Sequence, residues 1–536
     1  MNCDTAGNLQ AKIQTAPAGG TILVKGTCVG NFLIVGKGLT IKGNPTATLD
    51  GGDLFRPLGI NSPGKVVHLV GLTVTGGVAQ FGAGILDQAG GLTLDWVTVR
   101  DNLATSSSAP ATGGGILSGG NLTLTDSTVS GNRARTTDSG GEADGGGIAV
   151  VNGDLTVTNS TIAGNRATAA LSTGSAIARG GGFYVESGHF TLHGARVSGN
   201  RVTASQGVHA DAQGGGGSNE TAVVDSVVGS IVTGNAATAE SGGGFAGAAG
   251  SGLSGFDTLH VTGSTISGNV VSATGSTATA GGGGLSPGVV NLMRSTVNGN
   301  RVTARSTGGD AIVSGGGVSV EGMEATASTI SRNVATAATS GAFSALSDGG
   351  GIDSDSPIGV TNSTIALNRL TATSPVGGSS VAQGGGIRVG SGPSTLVDST
   401  VAGNIVTTTG GGSASKQGGG LYTGSGLTLE ATIVATNAAT QGPDCFGGPT
   451  SNGHNLIRKT VGCTFTKTPT DIVAKDPKLG ALANNGGPTQ TMAIGLTSPA
   501  RDAIPNAACA VAIDQRGVHR PQGPKCDIGA YERKIA

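Results

Sequence analysis

One phrase recurs along this chain and restricts its fold more than any other feature. Ser-Thr-Ile/Val-x-Gly-Asn appears as Ser127-Thr128-Val129-Ser130-Gly131-Asn132 and again as Ser160-Thr161-Ile162-Ala163-Gly164-Asn165. Later copies end at Asn269, Asn300, Asn333, Asn368 and Asn404, and degenerate ones at Asn102, Asn200, Asn235 and Asn437. From Asn102 to Asn437 there are ten steps in 335 residues, a mean of 33.5. A fixed period of this size is the mark of a stacked repeat array.

Each period has the same internal order. A glycine triplet precedes an apolar residue, as in Gly145-Gly146-Gly147-Ile148 and Gly384-Gly385-Gly386-Ile387. Alternating text such as Leu155-Thr156-Val157-Thr158 follows, then the marker phrase, then a variable Ala/Thr/Ser/Gly stretch read as a loop insertion. Apolar residues two apart give the strand period, and no helical stripe between Asn102 and Asn437 could cover a sheet. Parallel strands without crossover helices must turn in a coil. The expected fold is therefore all-β, a right-handed parallel β-helix with one coil per repeat. Gly and Asn suit its tight turns, and stacked asparagines can bond amide to amide from coil to coil.

Composition narrows the function classes. Glycine supplies 101 of 536 residues, charged residues only 12% and aromatics 3%. The 31 Lys and Arg nearly balance 32 Asp and Glu, so no overall charge points to nucleic acid or an anionic membrane. No run approaches the ~20 apolar residues of a membrane span. P-loop, dinucleotide-binding, Gly-x-Ser-x-Gly and EF-hand motifs are all missing from the sequence.

The ends depart from the repeat. Residues 1–50 read as an N-terminal cap and first coils, 51–440 as the repeats, and 441–536 as a C-terminal cap or small appended domain. Leu9 and Ile13 lie on one face of a short helix before Pro17, and Thr21 opens the first strand. The six cysteines all lie in the irregular ends. Their placement suggests Cys3–Cys28, Cys445–Cys463 and Cys509–Cys526, and such pairs imply an oxidising compartment. No signal peptide opens the chain at Met1, which fits a mature form with an added initiator Met.

Near the C-terminus stand Asn484-Asn485-Gly486-Gly487-Pro488-Thr489-Gln490-Thr491, then Asp514-Gln515-Arg516-Gly517-Val518-His519-Arg520-Pro521, then Cys526-Asp527-Ile528-Gly529-Ala530-Tyr531-Glu532. Together they closely resemble the bacterial choice-of-anchor type Q domain over about the last 100 residues. The coils are more loosely similar to polymorphic outer-membrane and parallel β-helix repeats. The resemblance implies export and a secreted or cell-surface location, and no defined activity. Within this region Asp527 and Arg516 read as a structural ion pair.

Candidate chemistry comes from aligning the coils on their glycine triplets, since side chains alternate along a strand. Outward positions are bland in most coils. Exceptions are Glu321, Asp353 and Asp355, Arg388, and Tyr422. Stacking is expected to set Glu321 beside Asp355 and Asp353 beside Arg388, one coil spacing apart. Such a patch suits a carboxylate pair of a retaining glycosidase, or a uronate lyase assisted by Ca2+. Exposed charges on a rod are usually solvation, however, and an Asp–Arg neighbour pair is usually a weak surface salt bridge, so the bland reading carries more weight. Tyr184 and Tyr422 are the candidate sugar-stacking residues, and Tyr184, Glu186, His189 and His193 form a weaker cluster. No cysteine or histidine spacing marks a metal site. Two functions follow. The first is an exported scaffold or adhesin-like monomer that binds an extracellular polysaccharide or a surface partner protein. The second is a polysaccharide lyase or glycoside hydrolase acting on an extended acidic glycan.

Overall fold

A computed structural model describes residues 1–5, 7–137, 141–221, 223–255, 257–410 and 412–534. The chain divides into two compact units, Met1–Asp257 and Thr258–Ala536. Each is a parallel β-solenoid, and strands take 53% of the chain against 2% helix.

The coil following Asn132 in the first unit shows the plan. Leu155–Thr158 and Thr161–Ala163 lie in a marker sheet, Arg166–Ala170 and Ser175–Arg179 in two further sheets, and Phe183–Val185 in a triplet sheet. Every strand pairs in parallel with its equivalent one coil on: Thr161 with Arg196, Arg166 with Arg201, Ser175 with His209, and Phe183 with Gly217. The second unit repeats the plan, with Thr329 on Thr364, Val334 on Arg369, Ser344 on Ser379 and Ile352 on Ile387.

The marker phrase now has a role for each letter. Its Ile or Val fills the interior, as Val129 and Ile162 do. Its Ser stacks inside, so that Ser160 Oγ accepts from the Ser127 amide at 2.9 Å. Its Gly takes the left-handed turn, φ 67° at Gly131 and 64° at Gly164. Its Asn builds the expected ladder. Asn132 Nδ2 donates to Asn165 Oδ1 at 3.0 Å and to Val99 O at 2.9 Å, and the Asn132 amide donates to Asn165 Oδ1 at 3.0 Å. The second unit does the same from Asn300 through Asn333, Asn368 and Asn404 to Asn437. The glycine triplet lies where chain crosses chain. A Cβ on Gly147 would sit 2.5 Å from Gly182 O and 2.8 Å from the Asn165 side chain.

Two expectations about the coils need correction. The Ala/Thr/Ser stretches are not loops: they form the two insertion sheets, which pack face to face as a thin fin. Alternation is again the cause, because Ala167 and Ala169 meet Ala176 and Ala178, all fully buried. Side chains this small bring Cα atoms of the two strands within 8 Å, where sheets ordinarily pack ~10 Å apart. The second correction concerns residue 441. The coils continue past it, with Leu421 paired to Cys445, Ile433 to Leu456, and Leu456 to Ile472. Asp444 takes over the ladder by accepting from the Asn437 side chain at 3.0 Å, so the stack persists without the marker text.

Both ends are closed. The Asn8-capped helix α1 (Leu9–Thr15) buries Leu9 and Ile13. All three disulfides form as expected. The chain after Val473 folds back over the outer face of the second unit's marker sheet instead of covering only its end. Thr364 Oγ1 donates to Gln515 Oε1 at 2.6 Å, while Gln515 Nε2 donates to Thr329 Oγ1 at 2.9 Å. Thr329 Oγ1 donates to Gln490 O at 2.6 Å, and the Ala530 amide donates to Thr400 Oγ1 at 3.1 Å. Arg516 pairs with Asp514 at 2.6 Å and lies 3.7 Å over the Tyr531 ring. It does not pair with Asp527, whose carboxylate accepts the amides of Asp502 and Arg533.

Candidate functional site

The root of the fin makes a concave corner with the triplet sheet. A residue just ahead of a glycine triplet faces one just beyond a triplet across this corner, as Asp348 faces Arg388 and Arg179 faces Tyr184. Where both are polar, side chains meet that are distant from each other in the coil's own alternation.

In the second unit Asp348 ends the strand Ser344–Asp348, Asp353 is central in Ile352–Ser354, and Arg388 is central in Ile387–Val389. Arg388 Nη1 donates to Asp353 Oδ1 at 3.0 Å and to Asp355 Oδ1 at 2.6 Å. Its Nε lies 3.8 Å from Asp348 Oδ2 and has no hydrogen-bond partner among the described residues. Asp353 points outward from its sheet as expected, yet the fin covers it to 7% exposure. Burial, together with the charge of Asp353, pushes Asp348 up to about 7. Burial also raises Asp353, against the pull of Arg388. Asp355, by contrast, has an 80% exposed side chain.

Glu321 does not join this group. It follows Val320, which pairs with Ser354, so the register sets it level with Asp355. Asp355 turns to Arg388 instead, and the Glu321 carboxylate is exposed with no ion pair among the described residues. Asp348 is the member that alignment after the triplet could not find, because it stands ahead of one. Further along the corner, Tyr422 stacks on Phe446 with ring centroids 5.6 Å apart and planes at 6°. Gln383 Nε2 donates to Gln417 Oε1 at 2.8 Å, and Gln417 Nε2 to Gln441 Oε1 at 3.0 Å.

The first unit carries a second cluster at the same place in the coil. Arg179 meets Glu142 at 3.2 Å, Asp144 at 3.0 Å and Glu220 at 2.8 Å. Its guanidinium lies 5.7 Å from the centre of the Tyr184 ring, and Tyr184 is 4% exposed. Burial pushes Asp144 up to about 7 despite Arg179. A cleft of about 310 Å³ is lined by these residues with Glu186. His189 and His193 are exposed and do not line it. A charged residue directly ahead of a glycine triplet (Asp144, Arg179, Asp348) is the sequence signal for both clusters.

Both clusters are carboxylates gathered on one guanidinium. The geometry therefore fits an arginine where a cation would otherwise sit, and Ca2+ would have to compete with Arg388 for the oxygens of Asp353 and Asp355. Among the described residues no helix is long and apolar enough to cross a membrane. Three disulfides fit an oxidising compartment. No family model, curated protein or solved structure matches this chain.

Proposed function

We propose that this chain is an exported β-solenoid scaffold that binds an extended glycan along the corner of its second unit, at or beyond a bacterial cell surface. One observation carries the reading: polar and aromatic side chains follow one another coil by coil along that corner. Asp353, Arg388, Tyr422 and Phe446 follow one another in register, with Gln383, Gln417 and Gln441 on the facing wall. Donors and acceptors spaced at ~4.8 Å suit a linear polymer of hydroxyl-bearing units better than a compact ligand. The likeness of the last 100 residues to choice-of-anchor domains, and the disulfides, support an extracellular setting. Binding to immobilised glycans tests it: Arg388→Ala and Gln417→Ala should each lower retention on a glycan that the unaltered protein holds. Retention unchanged in both variants would reject the corner as the site.

A second reading has its own observation. Asp348, raised to about 7, could stay protonated near neutrality beside the exposed, ion-paired Asp355. Two carboxylates whose environments push them apart are the arrangement of a general acid and its ionised partner. Polysaccharides incubated with the protein, with calcium and with chelator, should then gain reducing ends or unsaturated uronate. Asp355→Ala should abolish the gain.

A further inference from the structure

We propose that the first unit carries a separate site for an acidic polysaccharide, an arginine column on the outer face of its first insertion sheet. The residue after three consecutive ladder asparagines is arginine, and the strands register Arg133 on Arg166 and Arg166 on Arg201. All three side chains are exposed. Arg135 stands two residues along on the same face, and Arg196 on the adjoining marker strand; both are exposed too. Among the described residues none of the five makes an ion pair, and no Asp or Glu lies in the first insertion strand or the adjoining marker strand of those three coils. Asp101, the nearest acidic residue along the ladder turn, is already held by Arg100 at 2.7 Å.

Like charges directly opposed on neighbouring strands destabilise a sheet. The second unit avoids the problem at the same coil position, where Val270, Arg301, Val334, Arg369 and Ile405 alternate apolar with charged. The first unit places its charges on adjacent coils, and among the described residues no ion pair offsets them. A ligand that brings regularly spaced negative charge removes the repulsion. One coil advances ~4.8 Å, close to the advance of one pyranose in an extended chain. Guanidinium forks match carboxylate and sulfate in two-point hydrogen bonding. The occupant is therefore an extended polysaccharide with one anionic group per sugar or nearly so, carboxylated or sulfated. This site is independent of the Arg388 corner.

The test titrates the full chain with polygalacturonate, a heparin oligosaccharide, neutral dextran and single-stranded DNA, each at low and moderate salt. The unaltered protein should bind one or both acidic glycans and not dextran, with affinity falling as salt rises. Which acidic glycan binds decides between carboxylate and sulfate. The triple variant Arg133→Ser, Arg166→Ser, Arg201→Ser should weaken binding by about 30-fold or more, as loss of three charge contacts implies. The triple Arg→Lys variant should recover part of the affinity. Arg301→Ser with Arg369→Ser should leave it within about 3-fold. Circular dichroism identical to the unaltered protein confirms that the triple variant is folded. Equal affinity in the Ser triple, equal binding of dextran, or DNA bound as tightly as the acidic glycans would each overturn the proposal.

Discussion

The same marker strand lies in two different environments. In Thr128–Ser130 and Thr161–Ala163 of the first unit the outward residues are half-buried and face away from the interior. In Thr329–Ser331, Thr364–Ala366 and Thr400–Ala402 of the second unit every position is buried. The interior is built identically in both, on the same Asn and Ser ladders. The difference lies outside, where the C-terminal segment covers the second unit's strands and turns their Thr hydroxyls into docking groups. Three stretches of the covering segment supply the contacts: Thr489 and Gln490, then Gln515 and Arg520, then Ala530. Arg520 is fully buried, 3.6 Å from Asp398 of the coils and 3.3 Å from Glu532. A repeat position can thus be solvent-facing in one copy and core in another, with no change in its own sequence.

Substituting the outward Thr should separate the two regions most sharply. Thr364→Arg sets a charge under the segment against Gln515 and should cost about 4 kcal/mol or more, releasing residues 479–534 to limited proteolysis. Thr161→Arg should stay within about 1 kcal/mol by denaturant unfolding, because the position is half-exposed and the added cost is repulsion from Arg196 one coil on. Equal costs would dissolve the distinction.

Next comes the staple of the covering segment. Replacing Cys509 and Cys526 together by Ser opens a loop of 17 residues and should cost about 3 kcal/mol in the chain-entropy account. The loss should appear as earlier protease cleavage of the segment, with the coils of the first unit unaffected.

The ladders should show no difference between the units. Asn165→Ala and Asn333→Ala each orphan buried backbone groups, for about 2 kcal/mol apiece. A clear inequality between the two in urea would mean that the covering segment also stiffens the interior.

The smallest effect concerns pH. Asp348 holds its proton up to about 7 when folded, whereas its ordinary value is 3.8. Between those values the folded state binds more protons than the unfolded chain, so stability falls as pH rises. Asp144 in the first unit and Asp398 under the segment carry the same sign, burial pushing each up to about 7. The melting temperature should therefore be higher at pH 5.5 than at pH 8. Asp348→Asn should flatten that slope by about 1–2 °C, since a chain this long moves little per kcal/mol.

Much of the candidate site was legible, within a limit set by where alternation stops being informative. Aligning coils on the glycine triplet put Asp353 on Arg388 because strand register is fixed by the apolar residues beside it. The same rule placed Asp353 outward without showing that the fin covers it, and placed Glu321 beside Asp355 without showing that Asp355 turns to Arg388. Asp348, Asp144 and Arg179 stand ahead of triplets, on strands whose Ala/Ser/Thr text reads as loop until it is seen to alternate. The near-zero net charge likewise concealed the column of Arg133, Arg166 and Arg201, which exists only once the coils are stacked.

The sequence alone determined the coil, its period, its ladders and its disulfide pairs. Those depend on local turn chemistry and on identical residues meeting one period apart, and both are written in the repeat. Only the tertiary structure decided what covers what: that insertions become a fin, that the C-terminal segment lies over the marker strands Thr329–Ser331, Thr364–Ala366 and Thr400–Ala402, and that one guanidinium gathers three carboxylates. These are contacts between different parts of the coil or between repeats and non-repeats. No periodicity relates their partners, so packing and burial alone select them.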